Sequence, residues 1–155
     1  MSLDAGAIGQ EKAFSLADVP AWFWLGIGVY SVLLTCGDRL LNDSDTYWQI
    51  SVGRWIIDHG AVPRTDIYSF TKAGEPWISS SWLAQVLLAG SYDLAGWTGP
   101  VTLASASIAA TFAFLAWILC RRIPALYAIV VTLAALVLST PHFLARPHVL
   151  AMPVM

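Results

Sequence analysis

A chain of 155 residues that is 57% apolar and only 12% charged lies far from the average of a soluble globular domain. Its net charge of −2 gives no footing for nucleic-acid binding, and its two cysteines, Cys36 and Cys120, supply neither a disulfide framework nor a metal-ligand spacing. Eight tryptophans and a mean hydropathy of +0.66 point instead to an all-α, polytopic helical membrane protein.

Residues 1–19 are small, polar and mildly acidic, with Lys12 their only basic residue. They read as a cytoplasmic N-terminal segment, with a short surface helix expected near Lys12 to Leu16. Residues 20–155 form the membrane domain. Pro20 to Cys36 carries no charge and gives a first span at about 20–36, since roughly 17 to 20 apolar residues cross a hydrocarbon core. Trp22 and Trp24 suit an interfacial aromatic belt. A cleaved signal peptide is the rival, but no small-x-small site follows. Leu33-Leu34-Thr35-Cys36 is a poor lipoprotein box.

A polar loop follows at about 37–98. It opens with two carboxylates, Asp43 and Asp45, one residue apart. Tyr47 to His59 then carries Trp48, Val52, Trp55 and Ile56 at helical spacing, with Gly60 as its stop. The two tryptophans place this helix in the membrane interface; the alternative is a helix packed on other parts of the loop. Pro63 keeps Val62 to Asp66 extended. Tyr68 to Thr71 and Pro76 to Ile78 flank a turn at Lys72-Ala73-Gly74-Glu75. Ser79, Ser80 and Ser81 offer N-caps for a second amphipathic helix, Trp82 to about Ala95, with Leu83, Val86, Leu87, Gly90 and Leu94 as its apolar side. The loop is too small to be an independent domain.

A second span is expected at about 99–120, with small residues from Ala104 to Ala110 suited to close helix packing. A third follows at about 123–141, and the start of a fourth at about 147–155. An apolar run of some seven residues is too short to cross a bilayer, so the chain is expected to be a fragment of a longer protein, the alternative being that it ends in an interfacial stub.

Basic residues in short loops stay cytoplasmic. Arg121 and Arg122 sit in the shortest loop, which places residues 37–98 and 141–148 together on the outer face and sets Cys36 and Cys120 on opposite faces. Asp43, Asp45, Arg146 and His148 therefore share one side. Two carboxylates can hold a divalent cation, Mg or Mn, that neutralises a phosphate leaving group. A carboxylate alone can act as general base on a hydroxyl, and arginine matches phosphate oxygens at two points. A lipid-linked phosphosugar presents its phosphate at this depth. Plainer readings stand beside these. Ser44 or Asp45 is a helix N-cap with Asp43 at the positive helix end, Arg146 snorkels to lipid phosphates, and His148 is structural.

The run from Asp43 through Asp66 resembles the first outer loop of bacterial multi-pass membrane proteins of the GT-C glycosyltransferase type. So do Tyr68-Ser69-Phe70-Thr71, Gly74-Glu75-Pro76-Trp77-Ile78, Ser81-Trp82-Leu83 and Ala145-Arg146-Pro147-His148. The resemblance covers about residues 38 to 150. It implies a multi-helix fold in the bacterial cytoplasmic (inner) membrane, N-terminus inside, with an outer loop of two amphipathic interfacial helices between the first two spans. It also implies sugar transfer from a polyprenyl-phosphate-linked donor, with Asp43 and Asp45 as catalytic or metal-binding residues and Arg146 and His148 as donor-phosphate ligands. Two places depart from the family pattern. Gln49 stands where members often carry histidine, and Ser79-Ser80-Ser81 where they often carry a histidine or an acid. The alternative function is a non-catalytic membrane subunit that uses the outer loop as a platform for partner subunits.

Overall fold

The computed structural model describes residues 19–155; the surface helix expected near Lys12 lies outside them. Among the described residues the fold is all-helical, with no strand and a single isolated antiparallel bridge between Thr65 and Pro76. The helices are α1 (Ala21–Thr35), α2 (Gly37–Leu40), α3 (Asp45–His59), α4 (Trp82–Ala95), α5 (Thr98–Cys120), α6 (Ala125–Ser139) and α7 (Pro147–Ala151). Short 3₁₀ turns follow α6 at Thr140–His142 and α7 at Met152–Val154.

Two helical stretches, Thr98–Cys120 and Ala125–His142, are long and apolar enough to cross a membrane. At 15 residues, α1 is about 22 Å long at 1.5 Å per residue, short of the roughly 30 Å hydrocarbon core. The helix breaks at Cys36 and the chain continues as α2. α1 lies antiparallel against α5. Gly26 sits where an added Cβ would come within 2.9 Å of the Ala113 Cβ, and Gly37 faces Val101 at the other end. The main core lies along this seam, from Val29 and Leu40 to Ala104, Ile108 and Phe112, closed by Phe143, Ala145 and Val149. Most of α6 faces outward; only Ala128 and Thr132 are buried.

The two loop helices form where the periodicity placed them, and α3 ends on Gly60 in the left-handed conformation (φ 60°). They pack against each other in parallel, Gln49 beside Gln85 and Arg54 beside Asp93. A parallel pair needs a long return path, and residues 61–81 provide it. That return is pinned at its turn by the Asp66 carboxylate, which accepts from the Tyr68 and Ser69 amides at 3.0 and 2.8 Å. The Tyr68 hydroxyl donates to the Ser51 carbonyl at 2.9 Å.

The face α3 buries is Thr46, Ile50, Val52, Gly53 and Ile56, not a tryptophan stripe. Trp48 meets the edges of Tyr68 and Trp77, and Trp55 stacks on His59. Trp48 thus takes part in packing the return segment against α3. Trp97 at the start of α5 joins the parts, with Tyr47 and Tyr92 rings 4.5 and 4.8 Å away.

Candidate functional site at the start of α3

Asp43 follows the short α2 and precedes α3, so its carboxylate stands at a helix entrance. Its Oδ1 accepts the Asp45 backbone N–H at 3.1 Å. Ser44 occupies the N-cap position and makes no capping bond with its side chain. The capping role expected of Ser44 or Asp45 therefore belongs to Asp43, one residue further out.

The other half of the site comes from the far end of the chain. Pro147 opens α7 and holds Arg146 extended (φ −120°, ψ 161°). This extended segment runs past the end of α2. The Ala145 N–H donates to the Leu40 carbonyl at 2.7 Å, and the buried Thr46 hydroxyl donates to the Ala145 carbonyl at 3.2 Å. So anchored, the Arg146 guanidinium reaches both carboxylates. Its Nε donates to Asp43 Oδ2, and its Nη2 lies 2.9 Å from Asp45 Oδ2.

The three side chains differ in access. Asp43 is 10% exposed, Arg146 36% and Asp45 55%. The hydrogen bond from Arg146 holds the Asp43 carboxyl below its usual range against the opposing effect of burial, and the Asp45 amide assists. The same bond raises Arg146 above the ordinary arginine range. Asp43 is thus the fixed anion of the group, and Asp45 the one that can meet a solute.

His148 takes no part in this cluster. Its Nε2 lies 3.2 Å from the His142 carbonyl oxygen, and its ring lines a separate groove of about 450 Å³ between α7 and the start of α4, with Ser80, Ser81 and Leu83. A larger, almost wholly apolar groove of about 620 Å³ runs between α1 and α6, from Ala21 to Thr140 and Phe143. Among the described residues, no three His, Cys, Asp or Glu side chains gather as a metal-ligand group. Two carboxylates are enough for a largely hydrated Mg²⁺ that shares phosphate ligands. Here Arg146 already supplies positive charge to both.

Two features of the site were not read from the sequence. Thr46 is fully buried and ties α3 to Ala145. Behind it, Ser79 Oγ lies 2.6 Å from Gln85 Oε1, and Gln85 Nε2 lies 2.7 Å from Gln49 Oε1. Gln85 is the one polar residue between Trp82 and Gly90, a signal from which a buried partner could have been inferred. No family model, curated protein or solved structure was found to match the chain.

Proposed function

We propose that this chain belongs to an integral membrane glycosyltransferase of the GT-C type, acting at the outer face of a bacterial cytoplasmic membrane on a polyprenyl-phosphate-linked sugar donor. The observation behind this reading is the meeting of Asp43 and Asp45 with Arg146, which follows them by about a hundred positions in sequence, at one end of the helix assembly. That end also gathers the last residues of α1 and the break after α6, as expected if both outer segments share a membrane face.

In the proposed reaction Asp45 takes the proton of an acceptor hydroxyl. The hydroxyl oxygen attacks the anomeric carbon as the carbon–oxygen bond to phosphate breaks. The phosphate leaves with the bonding pair and the configuration inverts. Arg146 meets the phosphate charge. Arg146 Nη2 lies on Asp45, so a phosphate that took over this contact would free the Asp45 carboxylate. Asp43 keeps its hold on Nε and sets the guanidinium in place. A Mg²⁺ or Mn²⁺ ion, where used, would be held by Asp45 with Asp43 behind it and would add neutralisation of the leaving group. The apolar groove between α1 and α6 suits the lipid that surrounds such a protein.

A second reading has its own support. Asp43 and Arg146 satisfy each other, as a purely structural clasp would, and the protein is then a non-catalytic subunit whose loop docks partner subunits. One experiment separates the two. In the full-length protein, Asp45→Asn keeps the shape and removes the base, so sugar transfer from a polyprenyl-phosphate-linked hexose should fall about 10²–10⁴-fold at unchanged membrane abundance. Undiminished transfer by Asp45→Asn rejects the catalytic role.

A further inference from the structure

The buried chain from Ser79 through Gln85 to Gln49 has a direction, and the direction leaves something unused. A separation of 2.6 Å between Ser79 Oγ and Gln85 Oε1 falls in the range of O–H···O bonds and below that of N–H···O bonds. The hydroxyl therefore donates to the amide oxygen, and Gln85 must turn its nitrogen toward Gln49. Gln49 receives that N–H on Oε1 at 2.7 Å, so its own Nε2 points away from Gln85.

No hydrogen bond from that nitrogen forms among the described residues, and Gln49 is only partly buried. Ser79 and Gln85 are 3% and 1% exposed, so the pair that orients Gln49 is shielded from water and from exchange of partners. Gly53, one turn further along α3, lets the Gln85 backbone approach and fixes the register.

Gln49 stands four residues after Asp45 on α3, which places the two side chains on one face as neighbours. A carboxylate only accepts, and an amide nitrogen only donates. We infer that Gln49 binds substrate: its Nε2 donates to the oxygen of a hydroxyl adjacent to the one whose proton Asp45 accepts, so the acceptor carries neighbouring hydroxyls, as a sugar ring does. Gln85 and Ser79 are positioning residues that act through Gln49. The inference rests on Asp45 as the acting carboxylate.

The test measures binding separately from transfer. Methyl pyranosides of glucose, galactose, mannose and arabinose are titrated against the full-length protein in detergent, with thermal shift as the readout. At least one should bind. Gln49→Glu keeps the acceptor for Gln85 and removes the donor, so affinity for that glycoside should fall about 3–10-fold, the worth of one hydrogen bond. Gln85→Leu should weaken binding to a similar degree while Gln49 remains. A purely structural role lowers the melting temperature of the unliganded protein and leaves glycoside affinity unchanged. That result, or the absence of binding by all four glycosides, overturns the inference. Transfer that persists in Asp45→Asn rejects the catalytic reading instead, and the two failures are read from different measurements.

Discussion

The loop between α2 and α5 and the apolar helices hold themselves together by different means. In α5 and α6 the side-chain hydrogen bonds of Ser107, Thr111, Thr132 and Ser139 all return to the carbonyl four residues back on the same helix. They satisfy the hydroxyls and link nothing. What joins α1 to α5 is close packing around Gly26 and the small residues of α5. In the loop the bonds cross between elements: Arg146 to Asp43 and Asp45, Thr46 to Ala145, Ser79 to Gln85 to Gln49, Tyr68 to Ser51, Arg54 to Asp93. Directional bonds fix where atoms sit, whereas packing of smooth surfaces fixes only how near they come. The loop is the part of the molecule built to place individual groups.

The sharpest way to break this contrast is Gly53→Val. A Cβ there would overlap the Gln85 carbonyl and lie 2.8 Å from the Ala89 Cβ, against backbone that cannot move aside without parting α3 from α4. The cost should reach or exceed the roughly 1–3 kcal/mol typical of overpacking. Amide hydrogen exchange across both helices should accelerate together. If exchange stays at the level of the parent protein, the close approach of α3 and α4 is wrong.

The apolar seam should respond more mildly and position by position. In Gly26→Leu the new side chain meets Ala113, while in Gly28→Leu nothing lies within 4 Å of the added Cβ. Overpacking at Gly26 should cost about 1 kcal/mol, at the low end for such changes, because an apolar helix can shift. Gly28→Leu should cost nothing measurable in reversible unfolding from detergent. Equal costs at the two positions would dissolve the packing argument for α1 and α5.

The clasp at Asp43 adds a pH dependence. Its carboxyl titrates below the usual range in the folded protein, and an unfolded aspartate titrates near about 3.9. The stabilisation is fully present above that value and is lost as pH falls through the lower, folded-state value. Protection of the Ala145 amide, which bonds to Leu40 beside the clasp, should hold from pH 7 to 5 after correction for intrinsic exchange and decline only below about 4. Asp43→Asn should flatten that profile; an unaltered profile would mean that another group governs it.

The smallest effect belongs to Arg54 and Asp93. Both are about half exposed, so water and salt screen them. Arg54 also covers the Tyr92 ring at 4.8 Å. Asp93→Asn should alter loop protection only slightly, and the difference should vanish in high salt. A large, salt-independent loss would show that this pair, too, sets the register of α3 on α4.

Local pattern made the helices legible. The stretch from Trp82 to Ala95 emerged with the bounds its apolar spacing gave, and α3 began two residues earlier than Tyr47 because Asp43 caps it from outside. The positive-inside argument set Arg146 on the same side as the two aspartates, and the three do meet. It set His148 there as well, yet that ring turns to the His142 carbonyl, because a five-residue helix starting at Pro147 carries it to another side. The parallel pairing of α3 and α4 was not legible. Hydrophobic periodicity reports which face of a helix is buried but not the direction of the helix that covers it. Ser79 was read as a cap candidate for the same reason. Its partner, Gln85, faces a helix 36 residues earlier in the chain through Gln49, and no local spacing reveals that.

The long span of chain between Asp43 and Arg146 also has a meaning in time. The two lie 103 residues apart, and ribosomes add about 5–20 residues per second. Asp43 therefore emerges roughly 5–20 s before its cation exists. Through that interval the loop has its local turn at Asp45, the bonds between α3 and α4 and, once α5 begins, the contacts of Trp97 with Tyr47 and Tyr92, but not the tie to Arg146. The tie closes only after both long apolar helices have been made and Ala145 can reach Leu40. Arg146 is thus the last stitch of an early-made loop, and a chain whose later helices are misplaced would leave an unpaired acid exposed as the mark of unfinished assembly.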